Sequence, residues 1–211
     1  MSGQRMNRWM GLLGLIILIL FFVGFGPLSG SSPGENASGL KVIAYWNAHQ
    51  TIGWAQIPVI GVGLALMVLF VSQLRNVLRG AADDHGPLPS VVYAGGLIFV
   101  ADLVAAGALL HVPLLLAAHN HQAGIAQTLN FVDQNNELLF LFGIALLALS
   151  AGVAILTGSL LPKWLGWVSI AVGLVCCAGP ISWFGILAFG IWIPVLGFVI
   201  QAKTKSLTQA A

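Results

Sequence analysis

Two groups of residues in this 211-residue sequence have side chains suited to chemistry. The first gathers His49, His111, His119 and His121, with Asp133 and Glu137 following. Imidazole and carboxylate donors suit Zn or Cu, and a His-x-His pair followed by two carboxylates one helical turn apart supplies enough ligands for a site. The spacing matches no established zinc signature such as His-Glu-x-x-His. Plain roles fit the same residues. Histidines are at home at a wet interface, Asn130 can cap the helix that follows it, and acidic residues stabilise a helix N-terminus. The metal-ligand set to test is therefore His49, His111, His119, His121 and Glu137. It would belong to a membrane-embedded, metal-dependent enzyme whose site opens outward. Nothing else in the sequence calls for a cofactor.

The second group centres on Asp102, in the middle of a long apolar run. An ionisable residue at the membrane midplane is costly and by default marks a functional site. Gly95, Ala105 and Ala106 share its helix face, which predicts that it points into a bundle. Ser150, at similar depth in the next apolar run, can donate a hydrogen bond to it or accept one. Two roles fit: a proton- or ligand-binding carboxyl in a small transporter or sensor, or a hydrogen-bonding Asp that ties two helices together.

Other activities lack their parts. No Lys lies inside an apolar run to anchor a retinal Schiff base. There is no Gly-rich phosphate loop and no Gly-x-Ser-x-Gly elbow. A haem held by two histidines needs them on facing helices, and only His111 lies inside an apolar run. Cys176 and Cys177 are adjacent, so in a helix they point about 100° apart and read as small apolar fillers rather than a redox pair.

The elements that must position these residues follow from composition. Fourteen residues are charged, or 7%, where a soluble domain carries about 25%. The hydrophobic share is 58%. These values exclude a soluble enzyme, a disordered chain and a nucleic-acid binder that works through a basic surface. They imply an all-α polytopic membrane bundle forming one domain over residues 1–211. A crossing needs about 20 mostly apolar residues. Six spans are expected, at about 8–28, 51–74, 89–113, 134–158, 164–177 and 182–200. The last two are separated at Gly179-Pro180, a strong breaker. Leu28-Ser29-Gly30 resembles a signal-peptide cleavage site, but the apolar run before it exceeds the usual h-region of about 7–15 residues, so an uncleaved span is expected.

Basic residues set the direction. Arg5, Arg8, Arg75, Arg79, Lys163, Lys203 and Lys205 all fall on one side if both termini are cytoplasmic, and only Lys41 falls outside. Seven against one is a strong positive-inside signal. Trp9, Tyr93, Trp164 and Trp167 then mark the inner interface, and Tyr45, Trp46, Trp54 and Trp183 the outer one.

Between spans, Ser29–Gly39 reads as irregular and includes a glycosylation sequon at Asn36-Ala37-Ser38. Residues Leu40 to Gln50 read as a short interfacial helix, with Ser38 as N-cap and Trp46 dipping into the headgroups. The inner loop Gly80–Leu88, with Asp83, Asp84 and His85, and the outer stretch Leu114–Asn130 read as connections. Small residues recur at packing intervals: Gly61/Ala65, Ala148/Gly152 and Ser169/Gly173/Cys177. Pro58 and Pro194 should kink their spans.

The segment Gly158-Ser159-Leu160-Leu161-Pro162-Lys163-Trp164-Leu165-Gly166-Trp167, following Phe142-Gly143-Ile144-Ala145-Leu146-Leu147, resembles small bacterial multi-span proteins filed as a domain of unknown function. Those proteins carry a Gly-x-Leu-Pro-Arg/Lys-x-Leu-Gly turn between two late spans. Ile43-Ala44-Tyr45-Trp46 with His49 resembles a further feature of some of them. The resemblance implies a six-span protein of the bacterial plasma membrane and supplies no activity or catalytic residues. Physically, Pro162 starts a span, Lys163 marks the inner side, Trp164 and Trp167 anchor it, and Gly166 permits close packing. The expected function is a non-enzymatic accessory or interaction subunit. Its partners would be the lipid bilayer and another membrane protein or a second copy, with no nucleic acid. The outward metal site and the Asp102-centred transporter or sensor are the alternatives.

Overall fold

A computed structural model describes residues 7–25, 33–80, 86–136 and 138–210. Arg5, Asp83, Asp84, His85 and Glu137 lie outside the described residues. Secondary structure in the described residues is entirely helical. In chain order it comprises α1 (Met10–Phe25), α2 (Gly39–Ala48), α3 (Gln50–Gly80), α4 (Leu88–Ala106), a π-helical turn (Gly107–His111), α5 (Val112–His119), α6 (Ala123–Asn135), α7 (Leu138–Thr157), α8 (Lys163–Cys176), a 3₁₀ turn (Gly179–Ile181) and α9 (Ser182–Ala210). Among the described residues, four stretches are long and apolar enough to cross a membrane: Gln50–Gly80, Leu88–His119, Ala123–Thr157 and Ser182–Thr204. Helices α1 and α8 are apolar but shorter, at 16 and 14 residues. At 1.5 Å per residue the described lengths of both fall short of the ~30 Å hydrocarbon core.

Several expectations need correction. Leu114–Asn130 is not a loop but a helical hairpin of α5 and α6. The chain reverses where His121 takes a left-handed conformation (φ 56°). The Gln122 N–H then bonds the Ala117 carbonyl (2.9 Å) and the His121 N–H bonds that of Ala118 (3.2 Å). This is a Schellman closure built without glycine. Asn130 lies inside α6 rather than capping the next helix, and Asp133 sits near the C-terminal end of α6, not at a helix start. Ser38 occupies the N-cap of α2 with no capping hydrogen bond from its side chain. The break at Gly179-Pro180 is present, with Gly179 at φ 61°.

The chain groups into two compact units. The first comprises Met1–Leu18, Leu64–Val100 and Phe140–Ala211. Small residues set its helix spacing. A Cβ at Gly152 would lie 2.8 Å from the Gly166 carbonyl oxygen, and one at Gly166 3.0 Å from that of Gly152. These two positions therefore let α7 and α8 meet backbone to backbone. Gly95 and Gly143 do the same for α4 and α7: a Cβ at either would stand 2.5 Å from the backbone nitrogen of Leu147 or Phe99. Gly61, which belongs to the other unit, has nothing within 4 Å of its Cβ position among the described residues. Lys163 donates to the carbonyls of Leu156 and Gly158, so the turn's lysine satisfies the carbonyl end of α7. Pro58 and Pro194 both lie inside helices.

A polar link joins α8 to α9 in this unit. The Trp192 indole N–H donates to Ser169 Oγ at 2.8 Å, and Ser169 donates to the Leu165 carbonyl at 2.7 Å. Both residues are buried, and Trp192 stacks on Phe189, which meets Phe99 edge-on. Ser169→Ala would strand the indole N–H, and a loss of about 1 kcal/mol is expected. Adding Trp192→Phe should recover part of it. Thermal unfolding in detergent of the single and double variants checks this as a cycle.

Candidate functional site in the second helical unit

The second unit comprises Ile19–Gly63 and Ala101–Leu139, and it holds His49, His111, His119, His121, Asp102 and Asp133 together. Its core forms because three short helices each turn one apolar side inward. Val42, Ile43 and Trp46 of α2 meet Leu114, Leu115, Ala117 and Ala118 of α5, closed by Ala126 of α6. Trp46 is thus a core residue, 5% exposed, and not a headgroup anchor. Two glycines permit the fit. A Cβ at Gly39 would overlap the Ala123 carbonyl, so α2 and α6 touch through backbone there. A Cβ at Gly53 would press on Leu115 (2.7 Å) and on Trp46 (3.3 Å).

Each histidine takes its place from its own element. His49, at the end of α2, stacks on Tyr45 with ring centroids 4.3 Å apart, and its Nδ1 lies 2.8 Å from the Tyr45 carbonyl. That contact requires the proton on Nδ1. His111 closes the π-helical turn and meets Trp46 edge-on at 5.3 Å. Its Nε2 is 3.4 Å from the Gly53 carbonyl, and Asp133 interacts with it electrostatically. His119 Nδ1 lies 3.4 Å from the Gln50 amide nitrogen. His121 is exposed in the hairpin turn. The structure thus draws His111, Trp46, Gly53 and Asp133 together, while His49, His119 and His121 have separate settings. No group of three His, Cys, Asp or Glu side chains placed to hold a metal occurs among the described residues, and Glu137 of the expected set is not one of those residues.

Asn130 is the polar anchor that sequence reasoning misplaced. It is 1% exposed, and its amide donates to the carbonyls of Gly34 (3.2 Å) and Pro33 (3.5 Å). It therefore ties α6 to the segment that leads into α2. Gln56, also buried, donates to the Gly24 carbonyl at 3.0 Å and ties α3 to α1. Trp46 Nε1, Gln56 Oε1 and Asn130 Oδ1 are buried without a hydrogen-bond partner among the described residues.

Asp102 is half-buried on α4, just before the π-helical turn that carries His111. Such turns inside helices recur at functional sites. Ser150, in the first unit, spends its proton on the carbonyls of its own helix, Leu146 at 2.5 Å and Leu147 at 3.2 Å.

The outer side of α6 completes the inventory. Its buried side is Ala126 and Asn130, and its exposed arc holds Ile125, Gln127, Thr128, Phe131, Val132 and Asn135. Ile125 is 52% exposed, Phe131 50% and Val132 40%. No charged residue falls on that arc. Compared with family models, curated proteins and solved structures, the chain matches none.

Proposed function

We propose that the protein is a six-span integral membrane protein of the bacterial plasma membrane with both termini inside. It acts as a non-enzymatic accessory or interaction subunit, and its second unit lies on the outer side and binds a membrane-protein partner through α6. The seven-to-one distribution of basic residues and the resemblance of the Gly158–Trp167 turn to small bacterial six-span proteins support the placement. The apolar helices α1 and α8 complete the six crossings, and a length mismatch costs only fractions of a kcal/mol per Å.

The observation that carries the interaction reading is the composition of the exposed α6 arc. At 13 residues, α6 is too short to span by itself. A water-facing arc would carry Lys, Glu, Asp or Arg, and a lipid-facing arc would exclude Gln127, Thr128 and Asn135. An aromatic and two aliphatics among uncharged polar residues is instead the composition of a protein interface. Purification in mild detergent followed by native mass spectrometry tests the reading. A second protein, or a second copy, in fixed ratio is expected. A lone monodisperse monomer contradicts it.

The π-helical turn that follows Asp102 and ends at His111 favours a second reading, a proton-linked transporter or sensor centred on Asp102. On that reading Asp102→Asn abolishes the cellular phenotype while the protein keeps its melting temperature. On the interaction reading the same variant leaves the phenotype intact. Growth or transport assays in a strain carrying the variant, with membrane-fraction levels as control, separate the two.

A further inference from the structure

A cluster in the first unit, on residues with no role in partner binding, carries a separate chemistry. Arg75 and Arg79 sit one turn apart at the end of α3, and Arg79 lies in its last turn. Both guanidinium groups reach the same atom: Arg75 Nη2 lies 3.5 Å and Arg79 Nη2 3.2 Å from Ser90 Oγ. Ser90 belongs to the first turn of α4, where its backbone N–H and that of Val91 both bond the Pro87 carbonyl. Arg75 also lies over the ring of Tyr93, 5.4 Å from its centroid. Its Nε is buried without a hydrogen-bond partner among the described residues.

Three features point to an anion. Two like charges brought to one oxygen repel each other, and a bound negative group reverses that cost. A hydroxyl that accepts from two guanidinium groups has filled both lone pairs, so its own proton is left to donate. Guanidinium forks match phosphate oxygens better than any other side chain does. The site also lies where two apolar helices end, the depth of the headgroup phosphates, with a Tyr of the interfacial type beside it.

We propose that Arg75, Arg79 and Ser90 form a binding site for the phosphate of an anionic phospholipid headgroup, with Tyr93 holding Arg75 in place. The two guanidinium groups contact the phosphate oxygens and the Ser90 hydroxyl donates to one of them. Asp83 and Asp84, the nearest carboxylates in sequence, are outside the described residues and are handled in the test.

The test uses the full chain in nanodiscs, with phosphatidylglycerol titrated into phosphatidylcholine and bound lipid counted by native mass spectrometry. Each guanidinium is expected to contribute about fivefold, so Arg75→Gln/Arg79→Gln should weaken phosphatidylglycerol retention about 25-fold. The charge-matched control Arg8→Gln/Lys203→Gln should change it less than twofold. Ser90→Ala should weaken it about threefold, and Arg75→Lys/Arg79→Lys should lose part of the preference because the fork is gone. These two milder variants keep the test decisive if the Gln pair fails to fold. Equal loss in the control pair would overturn the site in favour of a general surface charge. Displacement of the lipid by millimolar inorganic phosphate would overturn the headgroup assignment in favour of a soluble anion. A rise in lipid retention above wild type in Asp83→Asn/Asp84→Asn, without loss in the Arg variants, would overturn it in favour of an internal ion-pair cluster.

Discussion

Replacing Gly39 by alanine is expected to cost about 3 kcal/mol, the upper range for overpacking, and to open the second unit. The added methyl falls on the Ala123 carbonyl, and backbone cannot swing aside as a side chain does. Helices α2 and α6 would have to separate. The shift would pull Val42, Ile43 and Trp46 off Leu114, Leu115 and Ala126 and loosen the setting of His111. Protease sensitivity of the α5–α6 hairpin and the melting temperature in detergent should both report it. Gly61→Ala is the matched control. Among the described residues nothing lies within 4 Å of its Cβ position, and alanine gains about 1 kcal/mol of helix propensity over glycine, so that variant should be neutral or stabilising. Equal damage from both substitutions would mean that helix flexibility, and not contact, sets the response.

Phe131→Asp is expected to weaken partner association by about 30-fold or more, the effect of losing one aromatic hot spot of ~2 kcal/mol, and to leave the fold intact. Phe131 is half exposed while Ala126 and Asn130 hold α6 from its other side. The carboxylate would stand in the middle of an uncharged arc and desolvate at cost on binding. Co-purification yield against wild type, with melting temperature as the control for folding, checks the outcome. Ile125→Asp should behave in the same way, and Thr128→Ala should have little effect. A Phe131→Asp protein that keeps its partner while Asn130→Ala loses it would place the interface elsewhere in the unit.

The membrane character of the chain was legible because composition alone decides it, and so was the Gly179-Pro180 break, because a glycine in the left-handed region followed by proline ends a helix in any setting. Close packing at Gly152 and Gly166 was legible because a small residue in an apolar helix lets a neighbouring helix approach closely. The α5–α6 hairpin was not. His119-Asn120-His121-Gln122 contains no glycine to flag its turn, and Gln127, Thr128 and Asn130 interrupt the apolar pattern that marks a span. Its helical period shows only once Ala126 is seen packed against α2 and α5 and Asn130 is seen bonded to the carbonyls of Pro33 and Gly34. Trp46 illustrates the same limit, since an interfacial Trp and a core Trp read alike until α5 is known to fold over it.

Four histidines and Asp133 fall in one unit, and spacing does not reveal what each histidine meets there. His49 turns to its own helix, and His111 turns to Gly53 and Trp46. Similar depth was expected of Asp102 and Ser150; the Ser150 proton goes to the carbonyls of Leu146 and Leu147, a rotamer choice invisible in sequence. The Arg75/Arg79 pair had a signal that was read only as topology: two arginines at i and i+4 closing one span, followed by Ser90 and Tyr93 opening the next.

The most direct measurement places a photoreactive phenylalanine analogue at position 131 and irradiates native membranes. The same analogue at Phe22, on the exposed side of α1, serves as the lipid-facing control. A discrete protein adduct of fixed mass from position 131, absent from position 22 and abolished by Ile125→Asp in the same chain, is the expected result. Lipid adducts alone at both positions would contradict an interaction role for α6.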